Sequence, residues 1–261
     1  MSTWCVAIRA HPKREREIEV DEPTWFEELF DEGLITDIEM QLKSGKEATV
    51  YLCRANPVTT DSHLLVAKVF RPKRTRSFKD DAAYKSGRVI TNARTRRAVH
   101  KKTRFGQEFE DAWWINREHE ILEQLSSIGA DVPRPIRGSA FGILMEYIGD
   151  EDNPAPQLRD VDLDAGEARA LFERVLWNIE LFLRNNLVHA DLSPFNILYW
   201  DGKPTIIDFP QGVDARTNRN SYELLRRDVE NVTRYFARYG VHADPDHLTS
   251  DLWQRYLFAR L

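Results

Sequence analysis

His189-Ala190-Asp191-Leu192-Ser193-Pro194-Phe195-Asn196, followed twelve residues after Asn196 by Asp208 in Ile206-Ile207-Asp208-Phe209, is the stretch on which the fold turns. Between the two lies Asp201-Gly202, a strong two-residue hairpin signal, so Asn196–Trp200 and Pro204–Phe209 read as paired strands. Asp191 and Asn196 then share the loop before the hairpin, and Asp208 stands at the end of its second strand. Taken singly, each of the three reads as a turn or cap residue. Together they read as an acid beside an acceptor and two hard oxygen donors, with Asp208 able to hold Mg²⁺ against phosphate oxygens. Phosphoryl transfer needs that kind of positioning and charge compensation more than covalent help from the protein. His189 reads as a brace for the loop.

The spacing is similar to the His-x-Asp-x-x-x-x-Asn and Asp-Phe loops of protein kinases, which sets an expectation for the N-terminal part. A phosphate-binding lysine should lie on a strand of a sheet lobe, and Val66-Ala67-Lys68-Val69-Phe70 supplies Lys68. An inward lysine among apolar neighbours needs a partner. Glu118 and Glu120 lie two apart on the helical run Trp113–Leu125 and so face different sides, and their spacing alone leaves the choice open. Leu42-Lys43-Ser44-Gly45-Lys46-Glu47-Ala48 has one glycine and matches no nucleotide-loop consensus, yet its N–H groups, Ser44 and Lys46 suit an anion-binding nest over phosphates. Met145-Glu146-Tyr147-Ile148 ends a buried strand, where backbone groups of Glu146 and Ile148 suit the edge of an adenine.

The pattern of elements is α+β, a two-lobed kinase-like fold with a small antiparallel sheet lobe and a reduced helical lobe. Residues 1–22 read as a flexible arm, 23–148 as the sheet lobe with a preceding helix, and 149–261 as the helical lobe. Thr24 and Glu27 form a capping-box pattern before an apolar face of Trp25, Phe26, Leu29 and Phe30. Ala48–Cys53 and Leu64–Phe70 read as a hairpin, Gly142–Ile148 as a strand, and Asp164 as the start of a helix ending near Asn185. A last helix spans about Ser221 to Tyr239, closed by Gly240.

The chain has 261 residues, 42% of them hydrophobic, enough for a substantial core. The apolar runs are short of a membrane span, and Cys5 and Cys53 read as reduced thiols, so a cytoplasmic protein with no membrane partner is expected. The net charge of −5 is unevenly spread, because residues 71–104 carry thirteen Lys and Arg against two Asp, about +11. Such a segment suits contact with the phosphates of RNA or a ribonucleoprotein, or equally a solvated loop.

Over roughly Trp25–Gly240 these motifs resemble the RIO kinases. Ser44-Gly45-Lys46-Glu47-Ala48 is similar to that family's shortened nucleotide loop, Val188–Ser193 to its catalytic loop, Ile207-Asp208-Phe209-Pro210-Gln211 to its metal loop, and Trp114-Ile115-Asn116-Arg117-Glu118 to its helix with the lysine-pairing glutamate. The resemblance favours Glu118 as the partner of Lys68. It implies ATP and Mg²⁺ as cofactors, serine autophosphorylation or ATPase activity, an aspartyl-phosphate associated with the position of Asp208, and work in ribosome assembly. Tyr84-Lys85-Ser86-Gly87-Arg88 resembles the flexible insertion of the first RIO subfamily, and the second subfamily's winged helix finds no counterpart. Ala190, where many kinases have arginine, and Pro210, where they have glycine, argue against regulation by loop phosphorylation. With 53 residues after Asp208 and no Ala-Pro-Glu, a peptide-docking platform is not expected. Two other readings share the motifs: a small-molecule phosphotransferase of the aminoglycoside or choline kinase type, and a nucleotide-gated RNA-binding scaffold.

Overall fold

The computed structural model describes residues 23–71 and 104–261, with side chains from 25 to 71 and from 116 onward. The arm 1–22 and nearly all of the basic segment, Tyr84–Arg88 included, lie outside the described residues. The chain falls into two compact units.

The first unit takes in residues 23–71 and 134–147 with the middle of a long helix. Its α1, Pro23–Asp31, starts with proline at its first position, where the missing N–H costs nothing. Thr24 is therefore the helix's second residue and not its cap. Gly33, at φ +66°, ends it: Gly33 N–H donates to Phe30 O (3.0 Å) and Leu34 N–H to Leu29 O (3.0 Å). A five-stranded antiparallel sheet follows, ordered β1-β2-β3-β5-β4, from β1 (Ile35–Ser44), β2 (Ala48–Ala55), β3 (Leu64–Phe70), β4 (Pro135–Gly138) and β5 (Gly142–Glu146). Trp25, Phe26 and Leu29 of α1 pack with Tyr51, Cys53, Leu65, Ala67, Val69 and Leu144 into one core. Phe26 meets Tyr51 edge to face at 5.3 Å.

Two strands go beyond the sequence reading. β1 is not marked out in the sequence, because irregularities at three places along its pairing with β2 break its two-residue period and only Ile35 and Ile38 are buried. β4 opens with proline, which suits an edge strand. β5 ends at Glu146, two residues before the expected Ile148.

The long helix α2, Arg104–Ser127, starts nine residues before the expected Trp113. From Arg117 on it belongs to the second unit, with residues 148–261. There α3 (Ala165–Arg184) is capped by Asp164 with a complete capping box to Glu167, as the spacing requires. Leu171, Val175, Ile179 and Phe182 lie on its buried face, and Phe172 meets Phe236 edge to face at 5.5 Å. Short strands β6 (Leu187–Val188) and β9 (Val213–Asp214) pair, as do β7 (Ile197–Trp200) and β8 (Lys203–Ile206). Helix α4 spans Ser221–Ala237, and α5, Pro245–Leu257, was not anticipated. Among the described residues no helix is long and apolar enough to cross a membrane.

Candidate active site

Asp191 and Asn196 lie on the loop between β6 and β7, and Asp208 lies just past β8. The turn between them is tight: Asn196 N–H donates to Ser193 O (2.9 Å), and Asn196 Nδ2 donates to Asp191 O (2.9 Å) and more weakly to its Oδ2 (3.5 Å). Ile207 N–H donates to Asn196 O at 2.9 Å, which ties the Asp208 loop to the same turn. Asp208 was expected within the second strand, but β8 stops at Ile206 and Asp208 has φ +73°, a left-handed conformation no strand accommodates. The tip of Asp191 reaches solvent, yet desolvation and then the neighbouring Asp208 carboxylate push its carboxyl above the usual range, against the pull of Arg227 and the Asn196 amide.

The loop is held from beneath by three residues of α4 that the sequence reading missed. Asp228, buried to 1% exposure, accepts Ala190 N–H at 2.7 Å and Leu192 N–H at 2.9 Å. Arg227 donates to Ala190 O, and Asn231 Nδ2 to Leu192 O at 3.0 Å. These bonds hold Ala190 at φ +68°. Burial pushes the Asp228 carboxyl up to about 7, although the two N–H bonds favour its charge. The signal was present: Asp228 sits at helical spacing in the apolar stripe of Leu224, Leu225, Val229 and Val232.

His189 braces both loops. Asp191 N–H donates to Nδ1 (3.3 Å), so Nε2 carries the proton that reaches Ile207 O (3.2 Å), and the ring packs on Phe209 at 4.6 Å. Glu118, 2% exposed, accepts Phe209 N–H at 3.3 Å on Oε1, which joins α2 to the residue after Asp208. Glu120 is exposed, so of the two glutamates Glu118 is the inward one.

The remaining candidates lie mostly in the first unit. Lys68 stands on β3, the central strand, opposite Val50 and Ile143, and so on the face away from Leu65, Ala67 and Val69. Its Nζ lies 5.2 Å from the Phe70 ring centre. Ser44 and Lys46 flank Gly45 in the β1–β2 turn, where Gly45 N–H donates to Ala48 O at 2.9 Å. Glu146 donates its N–H to Arg134 O (2.8 Å) and accepts Arg134 N–H on Oε2 (3.0 Å), while Ile148, the second unit's first residue after the sheet, accepts Ala155 N–H at 2.9 Å. The structure thus brings together Asp191, Asn196, Asp208 and Glu118, and it places Ser44, Lys46, Lys68 and Glu146 on the sheet unit.

No group of three or more His, Cys, Asp or Glu with metal-holding geometry occurs among the described residues. Mg²⁺ fits what is present: it favours one or two protein oxygens plus phosphates and water, and Asn196, with Nδ2 spent on Asp191, keeps Oδ1 as its donor beside Asp208.

The RIO domain family model matches residues 49–248. The serine/threonine-protein kinase rio1 of Schizosaccharomyces pombe is 32% identical over 213 residues, 80% of this chain and 40% of that protein. Human serine/threonine-protein kinase RIO1 is 31% identical over 82% of this chain and 35% of its own length. The RIO-type kinase Rio1 of Thermoplasma acidophilum is 35% identical over 52% of this chain and 69% of its own. This chain therefore spans about two fifths of the first of these relatives and about a third of the second. Among solved structures, the Rio2 kinase of Chaetomium thermophilum, in an ADP/Mg²⁺-phosphoaspartate complex, superposes with a TM-score of 0.63 at 19% identity, over 86% of this chain and 64% of that one. That likeness establishes a shared α+β kinase-like fold. From its catalytic-loop motif to the match over residues 49–248, the chain belongs to the RIO family.

Proposed function

We propose that this protein is an ATP-dependent RIO-type serine kinase or ATPase that transfers or hydrolyses the γ-phosphate with Mg²⁺. The observation that carries the reading is the hydrogen-bonded turn joining Asp191 to Asn196, with Asp208 within electrostatic reach of Asp191. In this reading Asp191 orients the acceptor hydroxyl or water and takes up its proton, for which a raised carboxyl pKa is suited. Asn196 Oδ1 and the Asp208 carboxylate hold the metal, which when bound offsets charge on the transferring phosphoryl group. Lys68, Ser44 and Lys46 contact phosphate oxygens. The adenine edge falls to backbone groups of Glu146 and Ile148, of which Glu146 N–H and Ile148 O already bond within the protein.

The pairing of Lys68 with Glu118, the assignment to the first RIO subfamily and a role for residues 71–104 in RNA or ribonucleoprotein contact extend the same proposal. They are supported by the motif resemblance, by relatives named RIO1 and by the charge of the segment. The test is incubation with Mg²⁺ and γ-labelled ATP, wild type against Asp191→Ala and Asp208→Ala, reading bound label and released phosphate. Asp208→Ala is expected to lose Mg·ATP binding, and Asp191→Ala to keep binding while turnover falls at least about a hundredfold. Turnover that survives in both variants would overturn the assignment.

A further inference from the structure

Arg71, the first residue after β3 and the first of the basic segment, has no part in the nucleotide-site motifs above. Its backbone N–H donates to Glu47 O at 2.8 Å, closing the Gly45–Glu47 turn from the β3 side. Its guanidinium reaches across the mouth of that turn, with Nη2 2.6 Å from Ser44 Oγ and 3.4 Å from Thr49 Oγ1. Ser44 is exposed, Thr49 is buried at 8%, and the two are register partners in the β1–β2 pair.

The chemistry of the hydroxyl gives this contact a direction. A serine oxygen offers two lone pairs and one rotatable hydrogen. With one lone pair occupied by a guanidinium, the O–H turns away from Arg71, towards whatever anion lies over the turn. A charge-assisted donor also polarises the hydroxyl and strengthens the bond it gives. Nη2 alone faces both hydroxyls, and the planar guanidinium holds that nitrogen in a fixed orientation where an ammonium would rotate.

We infer that Arg71 is a positioning residue of the nucleotide site, holding Ser44 Oγ so that its hydroxyl donates to a phosphate oxygen. The inference rests on the assignment of the β1–β2 turn to phosphate binding made above.

Calorimetric titration of the full chain with Mg·ATP, and with adenosine as a phosphate-free probe, tests it on Ser44→Ala, Arg71→Gln and the double variant. Each single change is expected to weaken Mg·ATP binding about tenfold, the order of one hydrogen bond to a charged group. The double variant should bind no more weakly than the worse single one, since both remove the same interaction. Adenosine affinity should not move. Arg71→Lys, the milder change, should lose about threefold with the same non-additivity against Ser44→Ala. Multiplying losses in the double variant, or adenosine weakened in parallel with ATP, would make Arg71 a latch of the fold and overturn the inference. Wild-type protein that binds neither probe would overturn the nucleotide reading itself, and the Arg71 inference with it.

Discussion

Asp228→Asn isolates what a buried carboxylate does beneath the Asp191 loop. The carboxylate accepts two backbone N–H groups at 2.7 and 2.9 Å, and burial places its pKa at about 7. In the unfolded chain it titrates near 4, so between about pH 4 and 7 the folded chain keeps a proton that the unfolded chain has released. Raising pH through this window therefore favours unfolding: the contribution is fully present below pH 4 and lost as pH passes 7. A shift of roughly three units corresponds to about 4 kcal/mol. The amide variant cannot titrate, and its NH₂ faces one of the two backbone donors, a pH-independent loss of about 1–3 kcal/mol. Urea unfolding of both proteins from pH 4.5 to 8.5, extrapolated to water, gives the difference free of the other carboxylates. The wild type should lead by about 1–3 kcal/mol at low pH, and by pH 8 the difference should have moved by about 3 kcal/mol in favour of the variant, which then draws level or overtakes it. A difference that stays flat across the range would refute the argument, since the carboxylate would then titrate alike in both states.

Gly142 leaves no room for a methyl group, because a Cβ there would lie 2.5 Å from Lys68 O and 2.6 Å from the Trp25 ring. Gly142→Ala should cost about 1–3 kcal/mol by overpacking, seen as a lower urea midpoint, and an unchanged midpoint would mean that β5 and α1 do not meet as described. Asn178, fully buried, accepts Asp131 N–H at 2.9 Å and donates to Asp131 Oδ2 at 2.7 Å, while Asp131 O receives Ile206 N–H at 2.7 Å. Asn178→Ala should cost about 2–3 kcal/mol and speed hydrogen exchange at Ile206 in particular.

The site was legible where chemistry fixes spacing and obscure where packing decides. Asp191, Asn196 and Asp208 stand out because a short loop and a hairpin must carry them at set intervals, whereas Asp228 declares itself only as an acid in an apolar stripe. Arg71 belongs to no motif, and only the strand register reveals its reach to Ser44. Among the elements, β1 escaped because its irregular pairing shifts the side-chain period, and β4 because an edge strand of four residues leaves little pattern. Helix α5 buries only Thr249 and Leu252, too few for a periodic signal, although Asp244 and Pro245 at its start were a readable cap. The early start of α2 contains Gly106, which weakens helical propensity there.

Because β3 is paired on both sides, with Val50 and Ile143 opposite Lys68, its alignment works as an aiming device. A one-residue slip would turn Lys68 into the layer of Leu65, Ala67 and Val69 and send Ala67 or Val69 outward in its place. Single-residue insertions or deletions inside Leu64–Phe70 should therefore be excluded from functional descendants of this sequence, while the length of the Asn56–His63 connection is free to drift, since it carries no part of that alignment.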